Sequence, residues 1–291
     1  MIFLALAFLF LILAFLETQI SLRLTRDPER GRRWKINLFA FGCSSIVAMA
    51  TRYFLIAQLD ALLWQNTTAQ EHVLPRSFAD SGYLFLLRLV AEILILDLYL
   101  YFWHRLNHKT RFLWRFHQFH HLDPFLDVTT ALRFHPCEIF LSQFFNFAFV
   151  VIFALAIGTT PLALVVFQSL VTAFSLFHHS NIKLPQRLET KLSKVIVTPR
   201  HHQNHHSWFL EETDSNYGVI FSIWDRLLGT KTAHCLPEQI TIGVPTHSAD
   251  FINSTSLVKQ LLVSFEPIMR WPRPFLQRNS SSSASANEFF P

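Results

Sequence analysis

At residues 97–108 the chain reads Asp97-Leu-Tyr-Leu-Tyr101-Phe-Trp-His104-Arg-Leu-Asn-His108. An apolar run of about 83–103 therefore leads directly into two histidines that stand four residues apart. Residues at i and i+4 lie on one face of an α-helix. If the helix continues past the apolar run, both imidazoles point to the same side. The stretch thus predicts a membrane helix whose polar end carries a histidine pair.

Two further histidine boxes follow downstream, and each has the spacing i, i+3, i+4: His117-Gln-Phe-His120-His121 and His202-Gln-Asn-His205-His206. Each box can aim two or three imidazoles at one point. Imidazole is a good ligand for iron, copper, nickel and zinc, and eight such groups exceed the four ligands of a structural zinc site. The alternatives are an interfacial helix with histidines at headgroup depth and a loose metal-buffering loop. The repeated pattern favours two metal ions in a nearly all-nitrogen cage.

The composition is that of an integral membrane protein. Of 291 residues, 51% are hydrophobic and only 15% are charged, whereas a soluble domain carries about 25% charged residues. The net charge of +5 does not indicate nucleic acid, because the basic residues cluster at the ends of apolar runs. Cys43, Cys137 and Cys235 are far apart and form no CxxC pair, so neither a disulfide framework nor a thiolate metal site is expected.

Five apolar runs predict an all-α bundle of about four or five membrane helices, at about 2–16, 36–59, 83–103, 139–157 and 161–177. No Lys or Arg precedes the first run, which is therefore expected to stay as a membrane helix and not to be a secretory signal. Gly158 and Pro161 separate the last two runs and indicate a tight membrane hairpin at about 139–177.

Charge orients these helices. The loop after the first run is rich in Lys and Arg, whereas in the loop from Asp60 to Gly82 Arg76 is the single basic residue. The positive-inside rule then puts the first loop in the cytoplasm, and all three boxes in a cytoplasmic helical cap formed by 104–135 and 180–235. The expected division of the chain is membrane helices over 1–96, a histidine-box core over 97–235, an extension over 236–278 and a disordered tail over 279–291.

Several ionisable residues have more than one interpretation. Asp97 lies roughly 10 Å below His104 along a helix, too deep for a ligand, so it could orient a ligand through Tyr101, line a substrate cavity or pair with a neighbouring helix. Arg88 and Glu92 are expected to satisfy each other, being four residues apart.

The remaining histidines of this region are harder to assign. His135 and His179 could each be a ninth ligand or a donor to one, whereas His201 points about 100° away from His202 on a helix and is expected to be a bystander. Carboxylates that could accept a hydrogen bond from a metal-bound imidazole are Asp123, Asp127, Glu138, Asp214 and Asp225.

The order HxxxH, HxxHH, HxxHH resembles the fatty acid hydroxylase/sterol desaturase superfamily of membrane di-iron enzymes. The connecting phrases are also similar to that family: Asp127-Val-Thr-Thr-Ala-Leu-Arg-Phe-His135-Pro, His179-Ser-Asn181-Ile, Thr198-Pro-Arg, Asp214-Ser-Asn216-Tyr-Gly218 and Trp224-Asp225-Arg-Leu-Leu-Gly229-Thr. The resemblance covers about 97–230, close to half of the chain.

The resemblance implies a ligand set, cofactors and partners. The metal ligands would be His104, His108, His117, His120, His121, His179, His202, His205 and His206. The cofactors would be two non-haem Fe ions with O2 as co-substrate. The substrate would be a membrane lipid. Because no haem-binding domain is visible, electrons would come from an external cytochrome b5-like protein or a ferredoxin and its reductase.

The leading hypothesis is an iron- and O2-dependent oxidase that hydroxylates or desaturates a sterol, fatty acyl or related lipid. The family also cleaves ether lipids, and the boxes do not distinguish these reactions. A metal transporter and a non-catalytic lipid-binding relative are the alternatives. The lack of a recognisable retention signal and the compact length favour a bacterial inner membrane, although a protein of the endoplasmic reticulum would look similar.

Overall fold

A computed structural model describes residues 1–23, 27–65, 82–156, 158–232, 240–245 and 256–266. Within these ranges the chain is helical, with three isolated β-bridges and no strand. The described residues leave out the predicted tail, most of the predicted extension, the loop around Arg76, and three histidines that the sequence places away from the boxes, His72, His234 and His247.

The helices of the described residues are, in chain order, α1 (Ile2–Gln19), α2 (Arg30–Gln65), α3 (Gly82–Lys109), α4 (Arg111–His121), α5 (Pro136–Ala156), α6 (Pro161–His179), α7 (Gln186–Leu192), α8 (Pro199–His205), α9 (Leu210–Thr213), α10 (Ile223–Leu227) and α11 (Leu257–Leu262). Short 3-10 turns lie at Val128–Leu132 and Val263–Phe265. The five apolar runs fall in α1, α2, α3, α5 and α6, and the predicted all-α fold is confirmed.

Four of the described helices are long and apolar enough to cross a membrane: α1, the segment Arg30–Leu59 of α2, α5 and α6. Helix α3 is not among them, because Arg88, Glu92 and Asp97 interrupt its apolar sequence. Its outer face is nevertheless apolar, with Leu87 63% exposed and Phe102 48% exposed. Exposed apolar surface of this extent is stable against lipid and costly against water.

The predicted hairpin joins α5 to α6. Gly158 takes the left-handed conformation (φ 81°), which glycine adopts without steric cost. Thr160 then caps α6, and Pro161 occupies its first turn, where the missing N–H of proline is not needed. Glu92 of α3 accepts hydrogen bonds from the backbone N–H of Thr160 (3.2 Å) and from Arg88 Nε (2.8 Å). The predicted pairing of Arg88 with Glu92 is thus present and also anchors the hairpin.

A buried ion network fixes the cap to the start of α2. Arg33 donates to Asp27 Oδ2 (2.8 Å) and to both oxygens of Asp123 (2.8 Å), and it also contacts Asp127. Burial raises the pKa of Asp127, but the Arg33 guanidinium outweighs it and holds that pKa below its usual range. Asn37, one turn further along α2, donates to Asp123 (3.0 Å). The N-terminal end of α2 therefore holds the loop between α4 and α5 in place.

Candidate metal centre

The nine histidines expected from the resemblance come together in two groups. The five-histidine group is His104, His108, His117, His121 and His205. The four-histidine group is His120, His179, His202 and His206. Within each group, one ring nitrogen of every member lies within 4.8 Å of the others. These side chains reach the centre from the ends of α3 and α6 and from the short helices α4 and α8.

Each HxxHH box is divided between the two groups. In α4, His117 and His121 join the five-histidine group while His120 joins the other. The third box does the reverse, since His202 and His206 enter the four-histidine group and His205 enters the five-histidine group. The expectation that each box aims two or three imidazoles at one point is met by two in each case, because the i and i+4 members share a direction whereas i+3 lies about 100° from i+4. Each of the two HxxHH boxes therefore supplies histidines to both groups.

The spacing of the inward nitrogens fits metal ligands. The Nε2–Nε2 distances are 3.0 Å for His104 with His205, 3.0 Å for His120 with His179 and 3.1 Å for His202 with His206. Imidazoles bound to one ion at about 2.1 Å place their nitrogens about 3.0–3.4 Å apart. Two lone pairs at this distance repel each other unless a cation lies between them. The donor set thus fits two metal ions.

Buried nitrogens without a hydrogen-bond partner support the same interpretation. The Nε2 atoms of His108, His117 and His121 are buried and accept or donate no hydrogen bond within the described chain. Leaving a buried polar group unsatisfied costs about 1–3 kcal/mol. A metal ion bound within the five-histidine group would be the partner that all three Nε2 atoms lack.

The outer nitrogens of several histidines are held by carbonyl oxygens. A carbonyl oxygen can only accept a hydrogen bond. The Nδ1 of each of these histidines therefore carries the hydrogen, and its Nε2 presents a lone pair to the centre. The pairs are His104 with Tyr217 O (2.8 Å), His205 with Ser215 O (2.7 Å), His120 with Arg133 O (3.1 Å) and His179 with Ser175 O (2.8 Å). The protein itself thus sets the tautomer that binds a metal.

One turn supplies two of these carbonyls. Asn216 adopts the left-handed conformation (φ 53°), which is uncommon for a residue other than glycine. Its side chain donates to His201 O (3.2 Å) and accepts from the backbone N–H of Thr232 (3.2 Å). The left-handed residue lies between Ser215 and Tyr217, and both of their carbonyls face the five-histidine group.

Asp225 holds the second half of that turn. Its carboxylate accepts from the backbone N–H groups of Tyr217 (2.7 Å) and Gly218 (3.0 Å). A Cβ at Gly218 would lie 2.7 Å from Phe221 O and 2.9 Å from Asp225 Oδ2, so this position requires glycine. Sequence reasoning identified the phrase Asp214-Ser-Asn216-Tyr-Gly218 but missed its role, because backbone carbonyls leave no trace in a sequence.

Burial keeps the imidazoles neutral. Desolvation, followed by the neighbouring histidines, lowers the pKa well below 6.5 for His120, His121, His202, His205 and His206. The neutral imidazole is the form that binds a metal ion. At neutral pH the site therefore offers nitrogen lone pairs and no competing protons.

Glu138 is the one predicted carboxylate that hydrogen-bonds a grouped histidine within the described chain. Its Oε1 lies 2.7 Å from His117 Nδ1, and both side chains are buried. The other four carboxylates form their hydrogen bonds elsewhere, as Asp123 and Asp127 do with Arg33. Asp214 comes nearest to a second such contact, with its Oδ1 3.8 Å from His108 Nδ1. A carboxylate on the outer nitrogen makes the imidazole a stronger ligand.

Replacing Glu138 by Gln is expected to weaken metal binding about 10–100-fold, the usual effect of losing such a partner. The amide keeps the shape but removes the charge that polarises His117. Competition with a chelator at fixed pH measures the change. Glu189→Gln is the matched control, because Glu189 is also buried but bonds Thr198 and no histidine. Equal metal loss in both variants would contradict the role given to Glu138.

The structure decides against one of the three roles considered for Asp97. Its carboxylate accepts from the backbone N–H groups of Ile220 and Phe221 (both 3.1 Å) and from Trp224 Nε1 (2.8 Å). Tyr101 pairs instead with Thr230 Oγ1 (2.7 Å). Asp97 therefore does not orient a ligand through Tyr101, and three donors from the segment 220–224 hold its carboxylate instead.

Three other histidines of this region lie outside both groups. His135 Nδ1 accepts from the backbone N–H of Cys137 (3.0 Å). His201 Nε2 lies 3.3 Å from Asp225 Oδ2, on the side of α8 away from the centre, as its position in the box predicts. The ring of His178 lies beside that of His202, with centroids 4.1 Å apart, but it contributes to neither group.

Four candidate membrane helices and two buried histidine groups define a class, the histidine-rich membrane metalloproteins. Residues 89–230 match the family model "Fatty acid hydroxylase". This region contains all nine grouped histidines, and it belongs to the fatty acid hydroxylase family. The resemblance inferred from the boxes is thereby confirmed.

Curated relatives include three lipid-modifying proteins. The chain is 36% identical to the ornithine lipid hydroxylase OlsE of Rhizobium tropici, over 54% of this chain and 45% of that protein. It is 28% identical to human alkylglycerol monooxygenase (54% and 33%) and 28% identical to human lathosterol oxidase (49% and 44%). The match thus spans less than half the length of each of these relatives. No solved structure matches the chain significantly.

Proposed function

We propose that this protein is a membrane-bound, iron- and O2-dependent lipid oxidase that hydroxylates a C–H bond of a lipid. The observation that carries the proposal is the convergence of nine imidazoles, in groups of five and four, where the helices α3 and α6 end. Nitrogen-rich sites of this kind suit iron. The names of the relatives, which include a lipid hydroxylase and a lipid monooxygenase, support the class of reaction.

The chain's own residues hold, orient and shield the centre. The five-histidine group would hold one ion and the four-histidine group the other, with His179 completing the smaller set. When bound, two reduced irons would supply the electrons that activate O2 for attack on an unactivated C–H bond. Ser215, Tyr217 and Arg133 fix the imidazoles through their carbonyls. The burial of the site excludes water that would compete with the substrate.

The substrate, orientation and electron supply are parts of the same proposal. A lipid would reach the centre from the bilayer, past the exposed apolar faces of α5 and α6. The basic loop after α1 supports a cytoplasmic position of the centre, in a bacterial inner membrane or the endoplasmic reticulum. Electrons would come from a separate cytochrome b5-like or ferredoxin-type donor.

The transport alternative has little support. A transporter places ionisable ligands between helices near the middle of the membrane. Here Arg88 and Glu92 bond each other, and Asp97 accepts hydrogen bonds from Ile220, Phe221 and Trp224. The other predicted alternative is a lipid-binding relative without catalysis. Experiment distinguishes it from the oxidase.

The test is to purify the chain in detergent, count iron by Mössbauer spectroscopy, and follow O2 consumption and lipid oxidation with a reduced donor. We expect two irons per chain and an oxidised lipid product. His120→Ala should lose iron from the four-histidine group and lower turnover at least about 100-fold, since even an outer partner of a ligand is worth 10–100-fold. Normal turnover in His120→Ala would refute the proposal, and lipid binding without O2 consumption would favour the non-catalytic relative.

A further inference from the structure

One face of the protein outside the metal centre combines exposed apolar side chains with exposed cations. Its apolar members are Leu188 (43% exposed), Val195 (55%), Ile223 (39%) and Leu227 (68%). Its cations are Arg187, Lys191, Lys194 and Arg226, all exposed. These residues belong to α7, to α10 and to the segment that follows α7, and together they are named the α7–α10 face.

Hydrogen bonds make these two helices one surface. The carbonyl of Ser193, at the end of α7, accepts from Ser222 Oγ (2.9 Å) and from Arg226 Nη2 (3.1 Å). The backbone N–H of Ser222 donates to Val195 O (3.0 Å). The start of α10 is therefore fixed directly against the end of α7.

The charge of this face is of one sign. The acidic residues of the two helices, Glu189 and Asp225, are 5% and 0% exposed and point inward to Thr198 and to the turn before α10. Within the part of the chain that the structure describes, none of the four cations forms a salt bridge. The face thus presents uncompensated positive charge around an apolar centre, which fits an anionic partner that also offers apolar contacts.

The position of α10 follows from three anchors along α3. Asp214 bonds Lys109 (2.7 Å), the Tyr217 carbonyl accepts from His104 (2.8 Å), and Ile220 donates to Asp97 (3.1 Å). The segment therefore runs antiparallel to α3, from its polar end back toward its apolar part. From residue 109 to residue 97 of a helix is about 18 Å. Helix α10 begins just after the lowest anchor.

The surroundings at this depth are apolar. Ile220 packs in a cluster with Ile93, Leu96 and Phe167, which belong to α3 and α6. Farther toward the polar end of α3, Phe102 still presents 48% of its surface. Trp224, whose indole N–H reaches Asp97, is of the residue type that concentrates at membrane interfaces. The sequence prediction put all of 180–235 in the cap, but this part of it descends to the level of the apolar helices.

We propose that the α7–α10 face lies in the membrane–water interface, with its apolar centre inserted among lipids and its cations bound to anionic headgroups. An amphipathic face with Lys and Arg around aliphatic side chains binds an anionic bilayer in this way. The depth of α10 selects the bilayer over a soluble acidic protein, since a soluble partner would need the face on the outer side of the cap. The inference does not depend on the reaction that the metal centre performs.

The first test measures depth. In the full chain with Cys43, Cys137 and Cys235 replaced by Ser, an environment-sensitive fluorophore is attached to Leu227→Cys and, separately, to Glu211→Cys. Glu211 is also exposed, but it lies three residues before Asp214, near the Lys109 end of α3. In bilayers that contain spin-labelled lipid, the label at position 227 should be quenched at least about threefold more than the label at 211. Equal and weak quenching at both positions would overturn the proposal.

The second test measures the headgroup preference. The variant in which Arg187, Lys191, Lys194 and Arg226 become Gln is compared with the unchanged chain in mixed phosphatidylcholine–phosphatidylglycerol nanodiscs, and native mass spectrometry counts the phosphatidylglycerol that stays bound. Each cation near an anionic surface contributes about fivefold, so retention should fall at least about tenfold. Unchanged retention would reject the headgroup role. A different outcome is that the four-Gln variant binds an acidic electron-donor protein more weakly while lipid retention and quenching stay the same. The face would then be a protein-docking site and not a lipid-binding one. Metal content checks that each variant folds.

Discussion

Replacing His202 by Ala is expected to remove the metal ion of the four-histidine group and to lower turnover at least about 100-fold. His202 Nε2 lies 3.0 Å from His179 Nε2 and 3.1 Å from His206 Nε2. Together with His179 it therefore stands in the middle of its group, and the His178 ring beside it belongs to neither group. Metal analysis of the purified variant should show about half the iron of the unchanged protein, because the five-histidine group keeps all of its ligands.

His201→Ala is the matched control for this experiment. His201 is the adjacent residue, is equally buried and has the same side chain, but it faces Asp225 and belongs to neither group. It should retain both metal ions, with at most a modest loss of stability. If the two variants lost iron to the same extent, the assignment of ligands by convergence would be wrong.

Replacing Arg33 by Met should destabilise the folded chain by about 3–5 kcal/mol, the usual cost of removing one partner of a buried ion network. Arg33 is 4% exposed and is shared among Asp27, Asp123 and Asp127. Without it, two carboxylates that are almost inaccessible to water would lose their counter-ion. The expected results are a large drop in the midpoint of thermal unfolding in detergent and a low yield of folded protein.

Arg30→Met distinguishes this effect from a general loss of positive charge. Arg30 lies three residues earlier on α2 and pairs with Glu17, but its side chain is 38% exposed. Glu17 is itself buried (2% exposed), but it keeps hydrogen bonds from the backbone N–H groups of Val128 (2.7 Å) and Asn181 (2.8 Å). This variant should therefore lose less stability than Arg33→Met and unfold closer to the unchanged protein. Similar midpoints for the two variants would show that the Arg33 network does not hold the cap.

Much of the fold and the candidate site could be predicted from local patterns. Apolar runs and their breakers gave the membrane helices and the hairpin at Gly158 and Pro161, because these features act over a few residues. The spacing of the boxes gave helices with histidines on one side, and the resemblance supplied the set of nine. His179 shows the limit, since nothing around it in the sequence says that it lies 3.0 Å from His120.

Long-range contacts could not be predicted. The division of each HxxHH box between two groups depends on where α4 and α8 lie relative to the ends of α3 and α6, which no single helix encodes. The role of Asp97 depends on N–H groups of Ile220 and Phe221, which are 123 and 124 residues away. Backbone donors have no sequence signature, and the sequence therefore left Asp97 with three interpretations, of which the structure excludes orientation of a ligand through Tyr101.

The segment from Asp214 to Phe221 ties the orientation of His104 to α3 itself. It is attached to α3 at Lys109, His104 and Asp97, so it follows any tilt of that helix. A thicker or thinner membrane changes the tilt of its helices, but His104 and the carbonyl that orients it would shift as one body. The hydrogen bond between His104 Nδ1 and the Tyr217 carbonyl should therefore persist in membranes of different thickness.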